Sequence, residues 1–477
     1  MCGILFMTGP DAEQQVRMLL PRLAHRGPDD SQIRVTQGGA LGFVRLAING
    51  DLESGAQPYT CGPLVGAFNG EIYNQHELIT TYDLSQITCD THVVLPLLQK
   101  LHHGVIDALD GFYSGVIINE TTGEILCIRD HMGKKPLFVG SSGPRIFITS
   151  ELKALEHVDQ FTAIPLGISS VDPQTGEIKV LAEHSAVKID DNLLDIFSEA
   201  VIKRLPAPDQ PVGVFLSGGL DSSLVAAVVA KHRPDATYFT LGNGDDSEAV
   251  QTVVHALGLR DVREVSLPTT EDLPQMLRDL IWATESFNPS IISNGLGTFV
   301  LAKAVREAGI KVVLGGEGAD ELFGGYHYFS SRNSKWKEVR NQLIQDMQNT
   351  ELRRLDLASM AHSIEVRCPF LDRRLRALSD SLIFEQMYDG SDNKVLLRQS
   401  FAGALPNDIL WRRKTSLDVG SGIRSLVTHY LRRDGFTERE ALRGVWVGLF
   451  SMDSEAPYFS SYPVFDDAID LRGEVHQ

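Results

Sequence analysis

The segment VGVFLSGGLDSSL (residues 212–224) decides the fold of the second half of the chain. It begins as a short apolar run typical of a buried strand, turns through two glycines and leads into a helical pattern over 222–231. Such a turn lets backbone N–H groups and a helix N-terminus approach one anion. The alternative is a glycine–serine turn without a ligand. Because no G-x-x-x-x-G-K-[ST] motif occurs, the loop is not a Walker loop.

Strand-like and helical runs alternate around this loop. In chain order they are 212–216, 222–231, 238–241, 248–257, 262–267, 296–308 and 311–314. This alternation is typical of βαβ units and predicts an α/β domain with a parallel sheet and right-handed connections. Helical patterns dominate from about Trp336 onward, as in 352–364, and the pattern fades beyond about Thr437.

The chain before residue 185 has a different texture. Short β-rich runs separated by turn residues occur at 40–46, 64–68, 114–118, 125–128 and 145–149. They predict two mostly antiparallel sheets and an α+β domain. The polar stretch 183–191 is the candidate linker. The predicted organisation is therefore a first domain at 1–184, a linker at 185–191 and a second domain at 192–477.

Composition excludes several classes of protein. The chain has 477 residues, of which 43% are hydrophobic and 22% charged, as in a folded protein of two or three domains. Lys and Arg number 44 against 62 Asp and Glu, a net charge of −18, which argues against a nucleic-acid partner. The five cysteines form no C-x-x-C pair or zinc spacing. No apolar run suits a membrane span or signal peptide, so we expect a cytoplasmic protein without a membrane partner.

Cys2 becomes the first residue if the initiator methionine is removed, and it then carries its own base. A free α-amine has a pKa of about 7.7–8.0, near enough to neutrality to accept the thiol proton and return it to a leaving group. The alternative is a cysteine without a catalytic role. Only the neighbouring motifs can decide between the two.

Polar motifs follow at predicted loop positions between the β runs. They include HRGPD (25–29) and NGEIYN (69–74). Arg45 could bind an α-carboxylate and Asp90 an α-ammonium, while Asn69 and Gly70 could form an oxyanion hole. Together these groups suit hydrolysis of a free amino-acid amide. Taken singly, a tight turn for NGEIYN and a surface loop for HRGPD are the favoured interpretations.

A second group of acidic residues follows the apolar run 311–314. The segment GGEGADELFGGY (315–326) places three carboxylates beside glycines at the carboxyl end of a predicted parallel strand. Open α/β sheets bind ligands at that end of their strands. A solvated acidic turn fits poorly with the apolar strand that delivers it. Asp221, in the glycine-rich loop, could hold Mg²⁺ against phosphates.

The first half resembles the class II glutamine amidotransferases. The resemblance rests on MCGI (1–4), HRGPD, NGEIYN and RDHMG (129–133) with Pro136-Leu137. It implies a four-layer αββα sandwich of the amino-terminal nucleophile hydrolase type, with Cys2 as nucleophile and Asn69 and Gly70 as the oxyanion hole. The implied glutamine-binding residues are Arg45, Leu46, Ala47, Ile48, Asn49, Asn69, Gly70, Glu71 and Asp90. His92 departs from the pattern, in which an acidic residue is expected.

The second half resembles the ATP-pyrophosphatase domain of the glutamine-dependent asparagine synthetases, on SGGLDSS (217–223), GGEGADELFGGY and EVRCPFLD (365–372). The resemblance implies activation of a carboxylate by ATP to an acyl adenylate, followed by attack of ammonia. Asp221 and Asp320 would bind Mg²⁺. Glu317 would assist formation or breakdown of the adenylate, and Lys414 would stabilise charge on the phosphates. The implied ATP-binding residues are Leu216, Ser217, Gly218, Gly219, Asp221, Ser222, Leu241, Gly315 and Gly316.

Three departures bear on the acceptor. Leu357 stands where Arg or Lys is expected, 262–266 lacks an expected histidine, and 414–422 follows the pattern only in part. The leading hypothesis is an asparagine synthetase acting on glutamine, aspartate and ATP, with a homodimer as the candidate assembly. The rival is the same chemistry on another carboxylate, in a peptide, cell-wall precursor or natural product. Retention of Cys2 disfavours β-lactam formation, and a non-catalytic relative would be expected to lose Cys2, Asp221 or Glu317.

Overall fold

The computed structural model describes residues 2–189, 191–242, 246–326 and 335–461. The chain divides into two compact units, one formed by Met1–Ser185 with Leu449–Asp453 and the other by Ala186–Gly448 with Ser454–Gln477. The domain boundaries predicted from the sequence stay a prediction. Among the helices of the described ranges, none combines the length and the apolar character that crossing a membrane requires.

The first unit is built from antiparallel strands. They are β1 (Cys2–Thr8), β2 (Asp30–Thr36), β3 (Gly39–Arg45), β4 (Tyr59–Cys61), β5 (Leu64–Ile72), β6 (Gly111–Asn119), β7 (Ile125–Arg129), β8 (Phe138–Ser142), β9 (Arg145–Thr149), β10 (Gln160–Ala163), β11 (Gly167–Val171) and β12 (Ile178–Ala182). Within residues 2–185 they form two six-stranded sheets, ordered β10-β8-β9-β1-β3-β2 and β12-β11-β7-β6-β5-β4. The predicted pair of antiparallel sheets is confirmed.

Helices cover the outer face of each sheet. They are α1 (Ala12–Leu19), α2 (Gln75–Tyr82), α3 (Val94–Leu101) and α4 (Val105–Ala108). Apolar side chains of the two sheets, such as Ile4 and Val116, pack against each other in one core. A second core joins the β5–β6 side of its sheet to α3, through residues such as Phe68 and Leu97, while α1 packs on β1 and β3. The result is the predicted four-layer αββα sandwich.

The second unit contains a parallel sheet and many helices. The strands are β13 (Val212–Phe215), β14 (Thr237–Leu241), β15 (Asp261–Val265), β16 (Val312–Leu314) and β17 (Glu365–Arg367). The helices are α5 (Leu193–Ile202), α6 (Leu220–His232), α7 (Ser247–Leu257), α8 (Leu273–Thr284), α9 (Pro289–Glu307), α10 (Ala319–Phe323), α11 (Trp336–Asp346), α12 (Glu351–Met360), α13 (Arg373–Asp380), α14 (Phe384–Met387), α15 (Val395–Ser400), α16 (Asn407–Leu410), α17 (Leu417–Gly420), α18 (Ile423–Arg432), α19 (Glu438–Val447) and α20 (Pro457–Ser460). The predicted α/β domain with a helical C-terminal part is confirmed.

The strand order places the two glycine-rich motifs side by side. The order is β15-β14-β13-β16-β17, and each adjacent pair is parallel. After β13 the chain leads through α6 to β14 on one side, while β16 pairs with β13 on the other. Such a reversal of strand order opens a crevice at the carboxyl ends of the strands. The loops that follow β13 and β16 both begin at this crevice.

One local prediction needs correction. NGEIYN does not lie in a loop, because residues 69–72 extend β5 and pair with β6 up to Ile72 opposite Gly111. Backbone pairing with a long neighbouring strand overrides the turn chemistry of NGEIYN. Arg45 ends β3, opposite Cys2 in β1, within the β-rich run predicted at 40–46. Beyond Thr437, where the sequence pattern fades, the structure forms α19 and α20.

Candidate active sites

The side-chain amide of Asn69 is held against the start of β1. The backbone nitrogen of Cys2 donates to Asn69 Oδ1 at 2.8 Å, and both residues are buried. Asn69 Nδ2 is buried and has no hydrogen-bond partner among the described residues. An unsatisfied buried donor costs about 1–3 kcal/mol. The structure therefore keeps an amide donor available beside the predicted nucleophile.

Gly70, the other predicted oxyanion-hole residue, occupies a position that only glycine fits. Its φ is +147°, and a Cβ there would lie 2.1 Å from the carbonyl oxygen of Phe112 on β6. A side chain would force β5 and β6 apart at the residue that follows Asn69. The structure thus brings Cys2, Asn69 and Gly70 together, while their catalytic roles stay predictions.

A buried ionic network lies next to Cys2. Arg26 Nε donates to the Cys2 carbonyl oxygen at 2.7 Å, and its guanidinium pairs with Glu151. Glu151 also contacts His25 at 2.8 Å and Lys153 at 2.6 Å. Burial alone would raise the pKa of Glu151, but Lys153, His25 and Arg26 outweigh it and hold that pKa well below its ordinary value. Arg26 and Gly27 of the HRGPD motif are therefore buried, whereas Pro28 is exposed.

The predicted glutamine-binding residues gather at the ends of β3 and β5. Arg45 donates to the backbone carbonyls of Asn49 at 2.9 Å and Asp51 at 2.7 Å, which holds the loop after β3 in place. Asn49 donates to the Glu71 carboxylate. Asp90 accepts from the Ile72 backbone at 2.7 Å. Binding of glutamine by these residues stays a prediction.

The chain between Arg45 and Asn49 supplies the remaining predicted contacts. Leu46 and Ile48 are buried, and the Ala47 backbone N–H donates to Asp29 at 2.8 Å. Asp29 belongs to HRGPD, so this motif fixes both the start of β1 and the loop after β3. Its two ends act on different parts of the same candidate site.

In the second unit, hydroxyl groups hold the loop between β13 and α6. The Ser217 and Ser222 hydroxyls lie 3.0 Å apart, and the Ser217 backbone N–H donates to Ser222 Oγ at 3.2 Å. Ser223 Oγ donates to the Gly219 carbonyl at 2.7 Å. Gly218 has a φ of +69°, and a Cβ there would lie 2.8 Å from the Val250 backbone nitrogen. The loop is thereby fixed in a turn that residues with side chains could not adopt.

A cavity of about 580 Å³ opens beside this loop. The predicted residues that line it are Leu216, Ser217, Gly219, Asp221, Ser222, Leu241, Gly316, Glu317, Asp320 and Lys414. Gly218 and Gly315 do not line it. A Cβ on Gly315 would lie 2.2 Å from Glu317 Oε2, so this glycine makes room for the glutamate. Glu317 Oε2 has no hydrogen-bond partner in the described ranges.

Two lysines bridge the predicted metal-binding carboxylates. Lys394 Nζ lies 2.7 Å from both Asp221 oxygens and 2.6 Å from Asp320. Lys414 Nζ lies 2.6 Å from Asp320 and 3.9 Å from Asp221. Burial would raise the pKa of Asp320, but the two ammonium groups outweigh it and hold that pKa well below its ordinary range. Burial would lower the pKa of Lys414, yet Asp320 and Asp221 raise it above its ordinary value.

A second polar group lines another part of the cavity wall. Its members are Glu321, Tyr326, Glu351 and Arg354. Tyr326 donates to the Glu321 carboxylate, and Arg354 donates to Thr298 Oγ1 at 3.2 Å. Burial, followed by the charges of Glu351 and Asp320, raises the pKa of Glu321 to about 8. This part of the wall therefore combines a guanidinium with two carboxyl groups.

Comparison with known proteins accounts for both units. The family model described as asparagine synthase matches residues 192–345 and 342–446, and that of a glutamine amidotransferase domain matches residues 1–166. The chain belongs to the asparagine synthase family. Glutamine-hydrolyzing asparagine synthetase of Brassica oleracea is 32% identical, over 88% of this chain and 78% of the relative. Glutamine-hydrolyzing asparagine synthetase B of Escherichia coli (strain K12) is 31% identical, over 84% of this chain and 78% of the relative.

A solved structure matches part of the chain. It is a glutamine phosphoribosylpyrophosphate amidotransferase from B. subtilis, complexed with ADP and GMP. Its sequence is 19% identical to this member of the asparagine synthase family. The match covers 50% of this chain and 65% of that chain, with a TM-score of 0.33.

In this member of the asparagine synthase family, the Asp221 and Asp320 carboxylates fit a magnesium ion whose other ligands are phosphate oxygens. Mg²⁺ prefers hard oxygen ligands and takes one or two carboxylates where a nucleotide supplies the rest. The Lys394 ammonium group contacts both Asp221 and Asp320, and the Lys414 ammonium group contacts Asp320. The carboxylate oxygens therefore already have two positive charges as neighbours. Within the described ranges no group of three or more His, Cys, Asp or Glu could hold a metal by itself. The donor set therefore suits a shared metal and not a closed protein site.

Sequence reasoning missed several cavity residues of this asparagine synthase family member. Lys394 follows a short turn-like stretch, 389–393, with no motif around it. Arg354 and Glu351 lie on α12, whose letters indicate only a helix. These residues reach the cavity through long-range packing, and spacing along the chain gives no signal for it.

Proposed function

We propose that this chain is a glutamine-dependent asparagine synthetase, which transfers nitrogen from glutamine to the β-carboxylate of aspartate with ATP. The products are asparagine, glutamate, AMP and pyrophosphate. The observation that carries the proposal is the Asn69 amide, fixed by Cys2 at one end and without a partner in the described residues at the other. It occurs in one chain with a cavity lined by Glu317, Asp221 and two lysines.

The first half-reaction takes place at Cys2. After removal of Met1, the α-amine accepts the thiol proton, and the thiolate attacks the side-chain amide carbon of glutamine. Asn69 Nδ2 and the Gly70 N–H stabilise the oxyanion, at about 3–4 kcal/mol per donor. The proton passes to the leaving nitrogen, ammonia departs, and water hydrolyses the remaining thioester to glutamate. Asn69 Oδ1 orients the amine, because it accepts from that nitrogen at 2.8 Å.

The second half-reaction takes place in the cavity. An oxygen of the aspartate β-carboxylate attacks the α-phosphorus of ATP, the bond to the bridging oxygen breaks, and pyrophosphate leaves. Ammonia then attacks the acyl carbon, the acyl–oxygen bond breaks, and AMP leaves. Glu317 is the proposed acceptor for the proton that the attacking nitrogen loses, since its Oε2 has no partner among described residues. Lys414 stabilises charge that builds on the phosphates.

Magnesium is part of this proposal. When bound, it would neutralise phosphate charge and thereby favour loss of pyrophosphate. Asp221 and Asp320 would hold it, because their carboxylates are hard oxygen ligands and both contact the Lys394 ammonium group. The assembly as a homodimer and a cytoplasmic location also belong to the proposal, and light scattering of the purified protein tests the first.

The acceptor end of the cavity supports an amino-acid substrate. Arg354 and Glu351 stand three residues apart on α12, so both side chains lie on one face of that helix, and both line the cavity. A guanidinium suits an α-carboxylate and a carboxylate suits an α-ammonium. Aspartate carries both groups beside the carboxylate that reacts. A peptide or an organic acid would leave one of them unmatched, which is costly in a desolvated site.

The division of labour between the two sites tests the proposal. In Cys2→Ala, glutamine-driven synthesis should be abolished while synthesis from ammonium salt persists. In Glu317→Ala, glutamine hydrolysis should persist while pyrophosphate release stops. Cys61→Ala, which changes a partly buried thiol, is the matched control and should resemble wild type. If Cys2→Ala loses ammonium-driven synthesis as completely as glutamine-driven synthesis, while still folded, the proposed division is wrong.

The identity of the acceptor is tested separately, with ammonium as nitrogen source. Aspartate, succinate, which lacks the ammonium group, and β-alanine, which lacks the α-carboxylate, are compared by pyrophosphate release. Aspartate should be preferred. Arg354→Met should raise the KM for aspartate far more than that for ATP, because it removes a charged contact worth about 1.5–3 kcal/mol. Equal activity with succinate would contradict aspartate as acceptor and leave the amidotransferase chemistry standing.

A further inference from the structure

Lys394 lies outside the sequence motifs on which the resemblance to the asparagine synthetases rests. It is buried, precedes α15 and has a φ of +54°, a backbone conformation that costs energy for a residue with a side chain. Its ammonium group contacts Asp221 and Asp320, and a second ammonium group, that of Lys414, contacts the same carboxylates. The fold thus places the Lys394 ammonium group between Asp221 and Asp320, whose carboxylates would otherwise repel each other.

The space for this side chain is built into the fold. A Cβ on Gly325 would lie 2.3 Å from Lys394 Cε and 1.9 Å from Asp320 Oδ1. The Asn393 side chain donates to the Gly325 carbonyl at 2.6 Å, which ties the segment before Lys394 to the end of α10. The lysine therefore reaches Asp320 along a path that only glycine leaves open.

One arginine connects the two segments that carry the lysines. Arg398 Nε donates to the Asn393 carbonyl at 2.6 Å, immediately before Lys394. The same guanidinium donates to the Leu410 carbonyl, and to the Arg412 carbonyl at 3.2 Å, two residues before Lys414. A single buried side chain thus holds both of the segments that carry the lysines.

We infer that Lys394 has two successive partners, the carboxylates of Asp221 and Asp320 in the nucleotide-free protein and the phosphates that become pyrophosphate when ATP is bound. The inference rests on the proposed function and deepens it for the ATP site. Without nucleotide, the ammonium group keeps the two carboxylates together and excludes free divalent cations from them. With nucleotide, a divalent cation and Lys394 divide the negative oxygens between them.

Charge explains why both arrangements are stable. Two lysines and two aspartates are neutral in sum, so the site without ligand carries no uncompensated charge at its centre. A divalent cation and the triphosphate arrive together, and the cation replaces the ammonium groups on the carboxylates. We expect the displaced ammonium groups, which line the same cavity, to turn to the phosphates. Lysine is suited to this exchange because its charge is a point on a flexible stem.

The test uses Lys394→Met in the full-length protein, with Lys231→Met, an exposed lysine on α6, as the matched control. Calorimetry measures two affinities: that of Mg²⁺ without nucleotide, and that of pyrophosphate at saturating Mg²⁺. Lys394→Met should bind Mg²⁺ about tenfold more tightly than wild type and pyrophosphate at least about tenfold more weakly, since a charge-assisted contact is lost. Lys231→Met should change neither affinity.

Each result decides one part of the inference. Unchanged pyrophosphate affinity would overturn the role toward phosphates, and unchanged Mg²⁺ affinity would overturn the role as a substitute cation. If Lys394→Met unfolds without ligand, the melting temperature with and without Mg²⁺ replaces the first measurement, and Lys394→Gln replaces the variant. Failure of wild type to bind pyrophosphate at all would contradict the proposed function itself, which separates the two hypotheses.

Discussion

Asn69 Oδ1 accepts a hydrogen bond from the backbone nitrogen of Cys2 at 2.8 Å, and this contact determines which end of the Asn69 amide is left for a ligand. Because the Asn69 oxygen already accepts this hydrogen bond, the buried NH₂ group at the other end of the amide still needs an acceptor. No acceptor lies within reach among the described residues. A negatively charged oxygen generated beside Cys2 would satisfy it.

Replacing Asn69 by aspartate should test this directly. In Asn69→Asp the new carboxylate keeps an oxygen for the Cys2 nitrogen but offers a second oxygen where the donor was. Glutamine hydrolysis should fall about 10²–10³-fold in kcat, while ammonium-driven synthesis stays near wild type. Asn119→Asp, at the end of β6, is the control. A glutaminase rate in Asn69→Asp within a few-fold of wild type would exclude an oxyanion role.

Glu151 links stability of the first unit to pH. Its pKa is lowered in the folded protein, so its stabilising contribution is fully present above the ordinary glutamate value of about 4.3 and is lost as the pH falls below it. Glu151→Gln leaves Arg26 and Lys153 buried without their shared anion. We expect a loss of about 3–5 kcal/mol at pH 7, with a difference from wild type that shrinks in acid.

Tryptophan provides an internal control for this measurement. The four tryptophans, Trp282, Trp336, Trp411 and Trp446, all belong to the second unit. Denaturant unfolding is followed by tryptophan fluorescence and, in parallel, by remaining glutaminase activity. Glu151→Gln should shift the activity curve and leave the fluorescence curve in place. An equal shift of both would show that the network does not act on the first unit alone.

Much of this arrangement could be predicted from the sequence, and the exceptions have physical causes. The loops SGGLDSS and GGEGADE could be predicted as candidate sites because glycines, hydroxyls and carboxylates follow apolar runs there. Parallel pairing of β13 with β16 then brings the two loops together. Asn69 could be predicted as a donor, although its place within a strand could not. Strand length depends on the partner, and the partner β6 lies some forty residues further along the chain.

Lys394 and Arg354 show what local pattern cannot supply. Each is a charged residue in an ordinary helix or turn, and charged residues usually face water. Their burial follows from where α12 and α15 pack in the finished fold. Only the three-dimensional arrangement shows that Lys394 meets Asp221, which is 173 residues away in the sequence.

Arg353 joins α20, the last described helix, to the end of α8 within the second unit. Its guanidinium lies 3.5 Å from the centre of the Tyr458 ring and donates to the Thr284 carbonyl at 2.8 Å. Arg353→Met should cost about 2–4 kcal/mol, because buried carbonyls lose a charged donor. Trp446, whose ring centre lies 4.9 Å from that of Phe459 on α20, should become more exposed, with a red shift of its emission.

An exposed pair of the same kind provides the control for Arg353. Arg433 lies 4.0 Å over the Tyr430 ring but is mostly solvent-accessible. Arg433→Met should therefore leave the denaturation midpoint and the emission maximum unchanged. If both variants behave alike, packing against Tyr458 is not what holds α20.

Gly325→Ala should separate the geometry of the ATP site from overall stability. The added methyl group would lie 1.9 Å from Asp320 Oδ1 and 2.3 Å from Lys394 Cε, so both side chains must move away from their present contacts. The backbone at Gly325 is outside the left-handed region, so alanine brings no conformational strain there. We expect pyrophosphate affinity to fall about tenfold or more and glutaminase activity to remain.

Gly444→Ala, at an exposed position of α19 with open space around it, is the control. It should instead stabilise the protein by about 0.5–1 kcal/mol and leave pyrophosphate affinity unchanged. Wild-type pyrophosphate binding in Gly325→Ala would mean that the side-chain positions that Gly325 leaves open for Asp320 and Lys394 are not needed for the phosphates to bind.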